Sequence, residues 1–445
     1  MPERLEFDVS FGRRGRARDE DEPMRLLVLG NFSGNAAADR PALGNRPTQR
    51  VDIDNFDDVL RRVTPRLNMP SGEIRFGQMD DFHPDALYTR LDLFKALRHA
   101  RAQPAPDASD LGRLLGKPTD RSASPAPAPA SGLDALIRDI VAPHIVRDGS
   151  AQEKSYQAGV DAAIAEQMRS LLHQSAFQSL EAAWRGLRWL VSSLELDENL
   201  QLHLLDVTRE ELLADIVAAN GALAQTGLYR TAVDRWRKVP GSHGWSALVV
   251  LIDFGPSDQD VGLLAAMGLI ASQAGGPILA GANDVLSSSA DPRVSAAWQA
   301  LRRSEAASWI GLSAPRVLMR LPYGKGSDPI ESFAFEEFVG QPTHEEFLWG
   351  NASLATALLL GRAFSARGWD MEPGDEREIG DLPAYTFVRD GEREMQACAE
   401  RFLTESETNT LLATGLIPLA SRRDRNAVVA IRIQSMADPP APLAW

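Results

Sequence analysis

The sequence predicts a protein of mixed α/β or α+β class, with mixed sheets, divided into two modules. Three observations point there. Apolar runs of strand length, such as RLLVL (Arg25–Leu29) and WSALVVLIDF (Trp245–Phe254), alternate with stretches of helical periodicity. Between Gln103 and Gly132 the chain reads QPAPDASDLGRLLGKPTDRSASPAPAPASG, with six of the 28 prolines, a composition that extends rather than packs. The 445 residues, 44% of them hydrophobic, are enough to bury full cores without disulfides or metals. The reading is a module over 1–103, a Pro/Ala/Ser-rich linker over 104–132 and a larger module over 133–445.

In the first module Leu5, Phe7, Val9 and Phe11 alternate with polar residues, the period of a half-buried strand. The charged stretch RRGRARDEDE that follows cannot continue a core strand, so this strand lies either on its own sheet edge or in a neighbour's sheet. Arg25–Leu29 is a more buried strand, with Gly30-Asn-Phe-Ser-Gly34 as its exit turn. Asp54 opens a helix with Phe56, Val59, Leu60 and Val63 on one face, and Pro65 ends it. A strand near Ile74–Phe76 leads into one helix from Pro84, with Leu87, Leu91, Phe94 and Leu97 at steps of four, three and three.

The second module begins with Leu133, Leu136, Ile137 and Ile140 at helical spacing. Helices follow around Ile164–Leu172 and over Phe177–Val191, the latter with Trp184 on its apolar stripe. Leu200–Leu204 reads as a strand and Trp245–Phe254 as a central one. An apolar helix from Asp260, a short strand at Ile278–Ala280, a strand at Arg316–Pro322 and a helix at Asn351–Phe364 come next. Leu416–Ala420 and Ala427–Ile433 flank the polar turn SRRDRN as a hairpin.

Composition excludes several functions. There are 47 Lys+Arg against 61 Asp+Glu, a net charge of −14, which argues against nucleic acid as a partner. No apolar run approaches the ~20 residues that span a bilayer, so no membrane insertion is expected. MPERLEFDVSFGRRGR has no apolar export segment, and a lone cysteine, Cys398, fits a reducing compartment, so the expected location is cytoplasmic. Asp80, Asp81, His83 and Asp85 invite a metal hypothesis, but the same residues read as the cap and first turn of the helix at Pro84. His344-Glu345-Glu346 is not HExxH, and Gly30–Gly34 lacks both phosphate-loop fingerprints. Asp253 ends a central strand, where α/β enzymes place carboxylates, yet it has no evident partner, and Cys398 lacks the flanks of a catalytic thiol. The residues identify no catalytic, cofactor or metal site.

Several of these segments carry a resemblance. MRLLVLGNFSG (Met24–Gly34), RVDIDNFDDVLRRVTPRL (Arg50–Leu67) and MDDFHPDAL (Met79–Leu87) resemble the small subunit of the type VI secretion contractile sheath, the TssB/VipA family. FQSLEAAWRGLRWLV (Phe177–Val191), LRRSEAASWIGLSAPRVLMRLPYG (Leu301–Gly324), FAFEEF (Phe333–Phe338), FLWGNASLA (Phe347–Ala355) and GLIPLASRRDRNAVVAIRIQ (Gly415–Gln434) resemble the large subunit, TssC/VipB. The combination is read as a fusion of the two, without the large subunit's C-terminal region.

The resemblance implies a tail-sheath-like protomer with no catalytic centre and no cofactor. It implies a structural part of a secretion apparatus that forms homo-oligomers by exchanging terminal strands. Leu5, Phe7, Val9 and Phe11 would supply one such strand, and Val429, Ile431 and Ile433 another. Implied partners are sheath subunits, an inner tube protein, the baseplate and an AAA+ unfoldase. Leu133, Leu136, Ile137 and Ile140 hold the position of the family's unfoldase-binding helix, and packing on their own module is the other reading. Two rival functions stand beside this one: a non-polymerising cap or adaptor, and a metal-dependent hydrolase using Asp253 or the Asp80/Asp81/His83 cluster.

Overall fold

The computed structural model describes residues 18–34, 40–69, 72–103, 140–141, 152–239, 241–283 and 291–445. In chain order these form β1 (Met24–Gly30), β2 (Gln49–Val51), α1 (Phe56–Val63), β3 (Arg66–Met69), β4 (Gly72–Arg75), α2 (Pro84–Arg90), α3 (Asp92–Ala102), α4 (Gln152–Leu172) and α5 (Ser175–Ser193). Next come β5 (Leu200–Asp206), α6 (Arg209–Ala218), β6 (Ala247–Phe254), α7 (Asp258–Ala274), β7 (Ile278–Ala282), α8 (Pro292–Arg302), β8 (Ile310–Ala314), β9 (Val317–Leu318) and β10 (Trp349–Gly350). The chain closes with α9 (Ser353–Arg367), β11 (Glu378–Ile379), β12 (Tyr385–Arg389), β13 (Glu392–Gln396), α10 (Glu405–Ala413), β14 (Leu416–Ser421) and β15 (Val428–Ala430). The mixed α/β class expected from the sequence is what the structure has.

Two compact units emerge, and they do not coincide with the two sequence modules. One is drawn from 1–65, 178–321 and 343–445; the other from 66–177 and 322–342.

The first unit is built on a nine-stranded sheet in the order β11-β15-β14-β8-β7-β6-β1-β5-β2. Its six strands from β14 to β5 are parallel, and antiparallel strands flank them. Strands buried on both faces should read as continuous apolar runs, and β1 is buried at all seven positions. Leu27, Leu29, Leu248 and Val250 point into one core with Leu212 of α6 and Leu263, Met267 and Ile270 of α7. Successive side chains point to opposite faces, so Leu26 and Val28 serve the other. On α5 and α9 glycines permit close approach: a Cβ on Gly186 would lie 2.4 Å from Leu354, and one on Gly361 would lie 2.7 Å from Leu194. Arg25, the one charged residue of β1, lies over the rings of Trp236 (3.6 Å) and Trp245 (4.6 Å) and donates to His243 O. Burial, then the charge of Arg50, lowers its pKa to about 10.

The second unit holds the β3–β4 hairpin and α2, α3 and α4. Phe76 stacks on Phe82 at 4.1 Å, and Phe177 meets both edge-on. Tyr88 stacks on Phe333 at 4.4 Å, and Arg101 pairs with Asp161 across α3 and α4.

Several expectations are corrected. The single helix from Pro84 is two, because Leu91 has an extended backbone (φ −75°, ψ 135°) and Leu93 joins Phe94 and Leu97 in the core. The strand at Arg316–Pro322 shrinks to Val317–Leu318; Pro315 has no N–H to give a ladder, so the sheet strand is Ile310–Ala314 before it. The helix opened by Asp54 begins at Phe56, and Thr64 in the left-handed region caps it. The C-terminal hairpin is present, but its second strand covers only Val428–Ala430.

Candidate assembly site

A set of polar contacts surrounds the turn that leaves β1 of the nine-stranded sheet. β1 is parallel to both of its neighbours, with Leu26 opposite Leu202 of β5 and Ala247 of β6. Its exit turn, Gly30–Gly34, is then held by side chains from far along the chain. Asp206, the last residue of β5, accepts from Phe32 N (2.8 Å) and Ser33 N (3.0 Å). Trp184 of α5 donates its Nε1 proton to Phe32 O at 2.8 Å and meets Phe32 and Phe56 edge-on. Phe32 and Trp184 are both fully buried.

A charged layer backs this turn. Arg40 reaches Asp206 (3.2 Å) and Glu211 (3.0 Å), and Arg46 reaches Glu211 (2.8 Å) and the Asp206 carbonyl (2.6 Å). Glu211 also closes the capping box of α6 with Thr208. Burial alone would raise the Glu211 pKa; Arg46, the Thr208 N–H and Arg40 outweigh it and hold the carboxyl below its ordinary range. Such paired, charge-assisted bonds fix geometry as well as contribute energy.

The Asp80/Asp81/His83/Asp85 group is a set of caps. Asp81 accepts from Gly77 N (2.6 Å) and Gln78 N (3.3 Å) and pairs with Arg90. His83 is the N-cap of α2, its Nδ1 accepting from Asp85 N at 3.2 Å. Asp85 turns to Ser332 N (2.8 Å) and Glu331 N (3.1 Å), which overcome burial and lower its pKa. Among the described residues no group of three or more His, Cys, Asp or Glu is placed to hold a metal ion.

Asp253 sits at the carboxyl end of β6, where Asn351 donates to it at 2.8 Å. A Cβ on Gly281 would lie 1.9 Å from the same oxygen. Crowding by the surrounding protein pushes this carboxyl up to about 6, although the side chain still opens to solvent; Arg316 pulls it down and Glu400 pushes it up. Arg316 donates from Nε and Nη2 to Glu400 Oε1 and from its backbone N–H to Oε2, and His344 Nε2 lies 2.9 Å from Oε1. Asn351 also accepts from Ser353 N at the start of α9, so the group ties sheet to helix. Cys398 is buried, and burial pushes its thiol up to about 11, away from a reactive thiolate.

Comparison with known families places this arrangement. The VipB family (EvpB/VC_A0108, tail sheath N-terminal domain) matches residues 154–437, more than half of the chain. The chain belongs to the VipB tail sheath family. A second family, "Type VI secretion system, VipA, VC_A0107 or Hcp2", matches residues 2–106, so one polypeptide carries VipA-type and VipB-type sequence. Among curated relatives, the type VI secretion system sheath protein TssC1 of Pseudomonas aeruginosa is 30% identical over 317 residues, covering 66% of this chain and 63% of TssC1. Sheath protein TssB1 of the same organism is 31% identical over 110 residues, covering 22% of this chain and 63% of TssB1. The chain thus spans less than two thirds of either relative. A chain of the anti-feeding prophage baseplate, solved by cryo-electron microscopy with 6-fold symmetrisation, aligns with 98% of this chain and 69% of its own length. Its TM-score is 0.35 and its identity 11%, a likeness that carries no argument.

In these terms β1 is a VipA-type strand lying between two VipB-type strands. The β1 turn is VipA-type, while Asp206, Trp184 and Glu211, which hold it, are VipB-type. Of these, the sequence points to Trp184 through the apolar stripe of its helix; Asp206 and Glu211 carry no such sign. The capping-box spacing Thr208-x-x-Glu211 is the local signal that could have found Glu211.

The residues expected to exchange strands divide. Leu5, Phe7, Val9 and Phe11 lie outside the described residues, as does the linker from 104 on. Val429 lies in β15, opposite Ala420 of β14 on one side and Glu378 of β11 on the other. The open edge expected at Ala427–Ile433 therefore meets a strand already flanked on both sides. Ile431 follows it, 36% exposed, and Ile433 is buried. Of the expected unfoldase helix, Leu133, Leu136 and Ile137 lie outside the described residues; Ile140 is helical and half-buried, and Val141 is buried. No helix among the described residues is long and apolar enough to cross a membrane.

Proposed function

We propose that this chain is a structural protomer of a type VI secretion sheath, in which the VipA-type and VipB-type halves are covalently joined. The observation that carries the reading is β1, a VipA-type strand seated mid-sheet between VipB-type β5 and β6. Family membership supports a scaffold role rather than an enzymatic one, in the cytoplasm, with further copies, a tube, a baseplate and an unfoldase as partners. Assembly proceeds by strand exchange through Leu5, Phe7, Val9 and Phe11; Val429, Ile431 and Ile433 at the C-terminal hairpin take part only where the two-residue β11 gives up its pairing with β15. Backbone hydrogen bonds would supply affinity and the side-chain alternation would set register. The helix of Leu133, Leu136, Ile137 and Ile140 is proposed as the unfoldase contact.

Negative-stain imaging of the purified full chain, with and without residues 1–12, tests this. Helical or ring-like arrays from the intact chain, lost on deletion while the truncated protein stays folded, are expected. Discrete monomers from the intact chain would favour the adaptor reading, and unchanged arrays after deletion would refute the N-terminal strand's role.

A further inference from the structure

Of the eleven asparagines in the chain one, Asn220, precedes a glycine, and the pair forms the turn that leaves α6. Both residues lie in the left-handed region, Asn220 at φ 43° and Gly221 at φ 86°. Asparagine and glycine are the residues that visit this region most readily, so sequence and turn agree. The turn is fixed by its neighbours: Asn220 N donates to Val217 O (3.1 Å), Ala222 N to Ala219 O (2.9 Å) and Leu223 N to Gly221 O (3.0 Å).

Two groups at its centre are left over. The Asn220 side chain is exposed, and neither its amide nor the Gly221 N–H has a hydrogen-bond partner among the described residues. Asn199 shows the opposite arrangement. Its amide is given to Asp197 Oδ2, and the N–H that follows it, on Leu200, donates to Asp197 Oδ1 at 2.8 Å. At Asn220 a side-chain carbonyl carbon and a free backbone nitrogen share one short turn, so their reaction is intramolecular, and no Cβ on Gly221 shields that nitrogen.

We propose that Asn220–Gly221 is a self-modification site, at which the asparagine converts to aspartate or isoaspartate. The Gly221 nitrogen gives up its proton and bonds to Asn220 Cγ. The Cγ–Nδ2 bond breaks, and Nδ2 leaves as ammonia with that proton. Water then opens the cyclic imide. Breaking the bond from Cγ to the Gly221 nitrogen leaves aspartate; breaking the bond from the Asn220 main-chain carbonyl carbon leaves isoaspartate, with the chain rerouted through Cβ and Cγ. The net change is an amide and water to a carboxylic acid and ammonia. The new carboxylate stands just past the carboxyl end of α6, against the negative end of the helix dipole. Isoaspartate also lengthens the path to Leu223, which is buried in the core. The same helix carries Glu211, which holds Arg40 and Arg46 behind the β1 turn, and Asp215, which holds Gly227 N and Leu228 N. The proposal does not depend on assembly.

Full-length protein is incubated at mildly alkaline pH in ordinary and in ¹⁸O-labelled water, then digested with trypsin. The fragment of residues 210–230 is expected to gain about 1 Da in ordinary water and about 3 Da in labelled water, with fragment ions placing the change at Asn220 rather than Gln225. Isoaspartyl methyltransferase should label the same fragment. The native protein should react within roughly tenfold of the rate in urea, because the turn withholds neither reacting group. Asn220→Gly, which suits the left-handed backbone, should stay folded and show no gain. Asn220→Asp, the product without the rerouted chain, should melt below the unmodified protein. No gain at Asn220, an equal gain at Asn199, or a native rate far below the rate in urea would each overturn the proposal. Equal melting of Asn220→Asp and the unmodified protein would overturn the charge argument at the end of α6.

Discussion

Replacing Asp206 by alanine strips the β1 exit turn of two acceptor contacts at once. Phe32 N and Ser33 N both donate to Asp206 Oδ1; Phe32 N keeps a second acceptor in Gly30 O at 3.1 Å, whereas buried Ser33 N is left without one. A hydrogen bond to an ionised group is worth about 1.5–3 kcal/mol, and a stranded buried donor costs about 1–3 kcal/mol. Since these overlap, the two contacts together amount to about 3–5 kcal/mol. Arg40 keeps Glu211, so its own loss adds little. The assay places a site-specific protease sequence within 104–132 and cuts it, so that only the non-covalent joint holds β1 in the sheet. Wild-type fragments should co-elute on a sizing column. In Asp206→Ala they should associate roughly 100-fold to several thousand-fold more weakly, the equivalent of that energy. Asp206→Asn, which keeps an acceptor but no charge, should fall between. Cut Asp206→Ala fragments that stay together at the wild-type dilution, with an unchanged denaturation midpoint, would refute the claim that this carboxylate locks the turn.

Trp184→Ala should cost about 3–5 kcal/mol and yield molten or insoluble protein, whereas Trp184→Phe should lose only about 1–2 kcal/mol for the bond to Phe32 O; urea denaturation separates them. The Glu211 carboxyl is held below its ordinary value of 4.5, so its stabilising share is fully present above that pH and lost as pH falls through the lowered value; Glu211→Gln should flatten the loss of stability below about pH 4.5 in acid denaturation. Asp81→Ala should destabilise by about 1–3 kcal/mol through the lost caps on Gly77 and Gln78, and the metal content measured by mass spectrometry should not change with it.

What the sequence made legible follows from where each signal resides. The strands read at Arg25–Leu29 and Trp245–Phe254 are legible through Leu26–Leu29 and Ala247–Val250, where burial on both faces demands consecutive apolar residues. The helix of Phe177, Leu180, Trp184, Leu187 and Val191 was visible in its periodicity, and all five side chains are buried. The break at Leu91 was not, because the apolar steps carry smoothly across it while only the backbone turns aside. Short strands such as Gln49–Val51 exist because a neighbour's edge offers bonds, so their own residues say little. The placement of β1 between β5 and β6, and the roles of Asp206 and Arg46, depend on partners more than 150 positions away. No local pattern encodes such partners; the family resemblance named the two halves without naming the bonds that join them.

The seat of β1 also sets a timetable for synthesis. Both ladders of this fully buried strand are completed only when β6 has left the ribosome, about 220 residues after Gly30. At roughly 5–20 residues per second, that is a wait on the order of 10–45 s with at least one edge bare. A separately made small subunit would have to find its partner by diffusion with both edges exposed. Here the missing neighbours arrive on the same nascent chain, so the hazardous interval ends at a moment fixed by translation rather than by the cellular concentration of a second protein.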